Sequence, residues 1–160
     1  MAELEVHLVK LEPMRVASVR VVSRTPEQDA WEKLRVWAGP LRLLDNLESH
    51  PVFGFNNPSP SLGRLKYGYE FWIKIGPDMT ATADIEVKDF PGGLYAVTSC
   101  KLLGDPSGRD IPRTWRKLMK WVKSNKYRWR RTHELERLQN PLSPVRDWVL
   151  DLCLPVEERT

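Results

Sequence analysis

Two carboxylates lie two residues apart in His133-Glu134-Leu135-Glu136-Arg137-Leu138, a stretch that reads as a strand and so sets Glu134 and Glu136 on one face. Partly desolvated, Glu136 would pair with a lipophilic cation or take a proton from water as a general base. Exposed, it would pair with Arg131 or Arg137, an arrangement worth ~0–1 kcal/mol. Glu134 competes for the same role, because two carboxylates on one face are not cheaply buried and ionised together. The second set is aromatic. In Tyr67-Gly68-Tyr69-Glu70-Phe71-Trp72-Ile73-Lys74-Ile75, alternation puts Tyr69, Phe71, Ile73 and Ile75 on one face and Glu70, Trp72 and Lys74 on the other. A period-two stripe of this kind is a core pattern first and a pocket wall second. Trp72, between two charges, reads as a ring at a pocket mouth or a dimer seam, and Tyr67 and Tyr69 flank a glycine where rings could lean over a cleft. Trp148 shares the face of Leu150 and Leu152, and Trp115 and Trp121 lie on a predicted helix. Seven tryptophans in 160 residues exceed what a core of this size needs and point to recognition of flat apolar groups.

Other chemistries lack their residues. There is no GxSxG, no serine or threonine with a histidine at a recognisable spacing, and no glycine-rich phosphate loop; Pro91-Gly92-Gly93 reads as a turn. His7, His50 and His133 are scattered, and Cys100 and Cys153 form no CxxC, so neither a metal site nor a cofactor is implied. An enzyme built from these residues would position water against a strained electrophile, without a covalent intermediate. The nine basic residues from Arg113 to Arg131, with no acid among them, exceed the net charge of +4, so the rest of the chain is net acidic. Arg113, Arg116, Lys117, Lys120 and Lys123 fall opposite an apolar helical stripe, the pattern of a solvated face, and Lys126, Arg128, Arg130 and Arg131 extend it. Trp121, Tyr127 and Trp129 within the segment raise nucleic acid as a partner, but a local basic strip on an otherwise acidic chain is not a uniformly basic nucleic-acid binder, and nucleic acid is not the expected partner. A local basic strip on an acidic chain suits an acidic protein partner or a ligand phosphate no less well.

The elements that must position these residues follow from a near-repeat. Val9-Lys10-Leu11-Glu12-Pro13 recurs 78 residues later as Val87-Lys88-Asp89-Phe90-Pro91, each copy leading into a β-rich run, 14–22 and 94–100. Each run leads to a helix. Thr25-Pro26-Glu27-Gln28 predicts a hydroxyl cap with proline at the first helical position, and Asp110-Ile111-Pro112 an acid cap. Ala30, Leu34, Trp37, Ala38 and Leu41 make the apolar face of the first helix, and Ile111, Trp115, Leu118, Met119 and Val122 that of the second. Gly39-Pro40 is expected to end or kink the first. Strands at 52–55 and 69–75, then 133–138 and 146–152, complete β-α-β-β twice over. The expectation is an α+β domain spanning 1–160, with antiparallel sheet and helices packed on one side. Its halves, 1–78 and 79–160, would be related by a pseudo-twofold axis with a ligand cleft between them. The N terminus is acidic, no apolar run reaches the ~18 residues of a membrane span, and the chain reads as cytoplasmic.

Four motifs in order then resemble a known family: Pro91-Gly92-Gly93-Leu94-Tyr95-Ala96-Val97; a helix with Pro112, Trp115, Leu118 and Trp121; Leu135-Glu136-Arg137-Leu138; and a closing strand ending Leu154-Pro155-Val156. Together they are similar to the GyrI-like (gyrase-inhibitor-like) small-molecule-binding family, also met as the effector-binding domain of multidrug-responsive transcription activators. The resemblance implies a pocket between the halves, lined by aromatics, with a carboxylate that meets a cationic ligand. The family's glutamate falls on Glu136, while Leu138 stands where tyrosine is usual. A first strand near residue 4 leaves no room for a preceding DNA-binding helix-turn-helix, so the chain reads as a standalone binding protein for lipophilic, aromatic or cationic molecules. Two alternatives come with the resemblance: hydrolysis of cyclopropane-bearing DNA-alkylating natural products, with Glu136 assisting water, and a protein-interaction module, such as a gyrase modulator, acting through Arg113–Arg131.

Overall fold

The computed structural model describes residues 4–80, 82, 85–101, 110–144 and 147–159. The chain forms two compact units, Pro13–Pro91 and Gly92–Thr160 together with Met1–Glu12.

The contiguous unit contains strand β2 (Met14–Ser23), helix α1 (Pro26–Ala38), and strands β3 (Val52–Asn56), β4 (Tyr67–Lys74) and β5 (Glu86–Phe90). Its sheet runs β3-β4-β2-β5, every pair antiparallel. Helix α1 packs on β2 and β4 through Ala30, Leu34 and Ala38, all 0% exposed, so the predicted 3.6-residue stripe faces the sheet. Trp31, outside that stripe, is buried against Phe71 with ring centroids 5.6 Å apart. The helix stops at Ala38, before Gly39-Pro40, which leaves Leu41 outside it and exposed. The expected capping box does not form. Thr25 (φ −133°, ψ 58°) gives the backbone no side-chain cap; its hydroxyl turns to the Asp29 carboxylate at 3.3 Å, which also accepts Ser23 Oγ at 2.5 Å.

The other unit contains β1 (His7–Leu11), β6 (Gly93–Lys101), α2 (Asp110–Ser124), β7 (Tyr127–Trp129), β8 (Leu135–Leu138) and β9 (Val149–Glu158). Its sheet runs β1-β6-β9-β8, again antiparallel, with β7 on the later half of β9. Helix α2 packs on β6, β7 and β9, with Leu118 and Val122 fully buried. Each copy of the near-repeat thus lends its first strand to the unit built from the other copy: β1 pairs β6, and β5 pairs β2. The architecture is α+β.

Several strands differ from the sequence reading: β1 and β5 are added, and β8 starts at Leu135, two residues after the expected start. β7 forms inside the basic segment, where no strand was expected, and the last strand begins at Val149 and runs through Pro155 to Glu158. Arg146, its predicted start, lies outside the described residues. Pro155 sits opposite Tyr95 of β6; on the other edge of β9 it falls between the end of the β8 pairing at Cys153 and the start of the β7 pairing at Val156, where its carbonyl accepts from Arg130 N at 3.0 Å and no N–H is called for.

Candidate functional site

In the contiguous unit, both faces of β4 are buried. On the side of α1, Tyr69 and Phe71 meet edge to face at 4.9 Å and are 5% and 1% exposed. The ring of Tyr69 lies over Gly54, where any side chain would collide with it. Half-buried Tyr67 donates its hydroxyl to the Glu27 carboxylate (2.7 and 2.9 Å to its two oxygens), tying β4 to the first turn of α1. Burial and that carboxylate push the Tyr67 pKa up to about 12.

The opposite face carries Glu70 and Trp72. Glu70 is 0% exposed and accepts four hydrogen bonds: Ser18 Oγ (2.7 Å), Trp72 Nε1 (2.6 Å) and Lys88 Nζ (2.8 Å) on Oε2, and Asn57 Nδ2 (3.0 Å) on Oε1. Burial alone would raise its pKa; the bonds from Lys88, Ser18, Trp72 and Asn57 outweigh that and hold the carboxyl below its ordinary range. Lys88 reaches it from β5, across Ser18 of β2. The indole of Trp72 packs against Phe55 (4.8 Å) and Phe90 (5.5 Å). Trp72 thus looks away from Tyr69 and Phe71, as alternation required. The buried carboxylate beside it escaped the sequence reading, which took that face as polar. The available signal was the near-continuous apolar run around Glu70, the mark of a strand covered on both sides.

In the other unit, Glu136 lies half-buried in β8, opposite Leu152. It shares its face with Leu138, Leu150 and Leu152, which are 3%, 5% and 0% exposed. Cys100, opposite Leu150, meets Thr114 of α2 on this face, Sγ to Oγ1 3.5 Å, so this is the side the helix packs on. Trp115 and Trp121 on α2 are half-buried, and Trp121 stacks on Tyr127 at 6.2 Å and 13°. Trp148, just before β9, is 6% exposed and donates Nε1 to the Ser143 carbonyl at 3.0 Å. Glu134 precedes β8 instead of sharing it. Although its surface is exposed, the protein around it desolvates the carboxyl and raises its pKa. Arg130 sets its guanidinium 5.3 Å over the Tyr95 ring, and Gly93 (φ 138°) supplies the backbone room this needs.

An open groove of 780 Å³ runs along α1, lined by Val21, Asp29, Glu32, Lys33, Trp37 and Ile85 among others. The sequence reading placed Trp37 on the helix's apolar face and did not connect it with Asp29. On α2 the predicted basic face is exposed, with outlying ion pairs Arg113–Asp110 (3.7 Å), Lys126–Glu158 (3.8 Å) and Arg128–Glu157 (2.7 Å). Among the described residues no cluster of three or more His, Cys, Asp or Glu could hold a metal ion, and no helix is long and apolar enough to cross a membrane.

Comparison with known proteins supplies the family. No curated protein matches the chain. Among solved structures, the C-terminal domain of EcmrR superposes with a TM-score of 0.68 at 15% identity, over 97% of this chain and 98% of that domain. In the EcmrR–DNA complex the match spans 98% of this chain and 58% of the EcmrR chain, with a TM-score of 0.69 at 16% identity. A hydrolase from Listeria innocua gives a TM-score of 0.67 at 12% identity over 98% of this chain and 94% of its own. SAV2435 bound to tetraphenylphosphonium gives 0.58 at 15% over 96% and 94%. These likenesses establish the fold. Residues 4–157 match the GyrI-like small molecule binding domain, and the chain belongs to that family.

Proposed function

We propose that this small-molecule-binding domain takes flat or lipophilic organic cations, with Glu136 as the carboxylate that meets the positive charge. The observation that carries this reading is the setting of Glu136: a half-buried carboxylate on the helix-covered face that it shares with buried Leu138, Leu150 and Leu152. There the effective dielectric is lower than in water, so a cation that arrives gains more from it than from a surface glutamate. Trp115, Trp121 and Trp148, in the same unit, are the rings proposed to cover the ligand, each stacking contact contributing ~0.5–1.5 kcal/mol beyond its buried area. The tetraphenylphosphonium complex of SAV2435, a protein of the same fold, supports the choice of ligand class.

Calorimetric titration with tetraphenylphosphonium and with uncharged triphenylphosphine oxide tests it. Glu136→Gln should weaken the cation about tenfold, near 1.4 kcal/mol, and leave the neutral compound within a factor of about two. Equal losses for both would remove the electrostatic role. An Asp29→Asn arm locates the site: loss there with Glu136→Gln silent would move binding to the groove along α1 and refute the assignment.

Hydrolysis is a second reading, favoured by one observation. Glu134, two residues from Glu136, has its carboxyl pKa raised by desolvation, the direction in which a carboxylate becomes a stronger base. The Listeria innocua hydrolase shares the fold. Incubation with a cyclopropane-bearing alkylator should then yield ring-opened product by mass spectrometry, lost in Glu134→Gln; stoichiometric binding without turnover sinks it.

A further inference from the structure

Glu70 takes no part in the reading above, yet its surroundings are those of a cation site. Three of its four donors are neutral, the buried Ser18 and Trp72 and the part-buried Asn57, and together they orient both carboxylate oxygens. The fourth is of another kind. Lys88 is a charged head on a flexible stem, 36% exposed against 1% for the Glu70 side chain, and it belongs to β5, the outermost strand of its unit's sheet. Its ammonium also lies 4.0 Å from the exposed carboxylate of Glu86. Withdrawing Lys88 moves a half-solvated chain into water; withdrawing Glu70 would break four bonds and expose nothing in exchange. The carboxylate is the fixed member of the pair and the ammonium the exchangeable one. The acceptor is Oε2, already bonded by Trp72 and Ser18, and the indole is flanked by Phe55 and Phe90. What Lys88 leaves is therefore one N–H acceptor position on Oε2, beside an indole flanked by two phenyl rings.

We infer that Glu70 forms a second cation site, distinct from Glu136, in which the Lys88 ammonium is the resident occupant and a primary alkylammonium takes its place when Lys88 swings out. A protonated amine is required because the site accepts an N–H at 2.8 Å, which a quaternary ammonium lacks, and a primary one matches the lysine head it replaces. An unbranched alkyl tail follows the course of the lysine stem. Because Lys88 is tethered, it competes at an effective concentration on the order of millimolar or more, so the wild-type site is held to weak apparent affinity.

The test uses the full chain, with n-butylammonium chloride as probe and sodium chloride at matched ionic strength as control. Melting temperature is followed against probe concentration for wild type, Lys88→Ala, Lys88→Met, and Lys88→Ala combined with Glu70→Gln. Lys88→Ala should melt lower than wild type and be restored by butylammonium. Wild type should show the same kind of shift only at about tenfold or more higher concentration, in keeping with the tethered competitor. Lys88→Met, which fills the path without an ammonium, should show no gain, and Glu70→Gln should abolish the gain in Lys88→Ala. If Lys88→Ala does not fold alone, refolding in butylammonium but not in sodium chloride supports the site; refolding in neither overturns it. An equal gain with Glu70→Gln present overturns it as well. So does the absence of any amine-specific shift in wild type, which would make Lys88 a permanent structural ion.

Discussion

Replacing Glu70 by leucine separates two accounts of what a buried carboxylate does for a fold. The side chain is 0% exposed and collects bonds from Ser18, Trp72, Asn57 and Lys88. Leucine has similar bulk and prefers such a site, but it accepts nothing. Lys88 can reach water, and so can the part-buried Asn57. Trp72 and Ser18 are 7% and 4% exposed and cannot. Each stranded donor costs about 1–3 kcal/mol. With some return from the added apolar burial, the net loss should be about 2–4 kcal/mol, or roughly 5–15 °C in melting temperature for a chain of this length. Glu70→Gln keeps an acceptor oxygen and should lose only about 1–2 kcal/mol. Urea unfolding followed by tryptophan fluorescence at neutral pH measures both. Titration adds a second signature. The folded carboxyl is held below its unfolded pKa of about 4.3, so its share of stability is present above that pH and disappears as pH falls through the lower folded value. Either variant should therefore flatten the acid limb of the stability curve. A Glu70→Leu protein as stable as wild type would refute the reasoning, because it would show that the neutral donors find other acceptors, as happens in cores where whole ion pairs give way to apolar groups.

Two further outcomes follow from the same geometry. Tyr67 has its pKa raised to about 12, against about 10 when unfolded, so its contribution is intact below pH 10 and is lost as pH rises through 12; Tyr67→Phe should cost about 1 kcal/mol at neutral pH and erase that alkaline slope, and the difference in phenolate absorbance between the two proteins should titrate near 12. Cys153 is buried, with its thiol pushed up to about 12 by desolvation and by Asp151, so under native conditions it should react with a thiol reagent no faster than the protein unfolds; rapid modification in native buffer would contradict the packing of β9.

Much of this fold is legible in sequence because local rules and burial agree. Ala30, Leu34 and Ala38 keep helical period and are all buried, and Gly39-Pro40 ends the helix where proline chemistry says it must. The near-repeat marks two related segments but was read only as leading into strands; that each is itself a strand, β1 and β5, and joins the sheet of the other copy is not local information, since pairing is decided by contacts far apart in sequence. The same limit hid the Glu70 cluster. Alternation assigned Glu70 to a polar face, whereas β4 lies between β3 and β2 and is covered on both sides; only the register that brings Ser18 and Lys88 alongside reveals the carboxylate's partners. β7 was masked by its own charges, because Arg128 belongs to the basic run beyond the helix, which shows no apolar alternation to announce a strand. Thr25 shows a smaller failure of the same kind: the capping pattern is present, but Asp29 offers its hydroxyl a charged acceptor and the backbone loses the competition.

The unequal continuity of the two units bears on how the chain is made. Every strand and the helix of Pro13–Pro91 are in hand once residue 91 has been added, so that body can close while synthesis continues. The other body starts with His7–Leu11 and is closed only by Val149–Glu158, which holds β6, β7 and β8 together. Its earliest strand must therefore wait, unpaired with β6 until β6 is made and without the central β9 until Val149–Glu158 is made. Loss of the final dozen residues would remove the axis of one body and leave the other's covalent span complete.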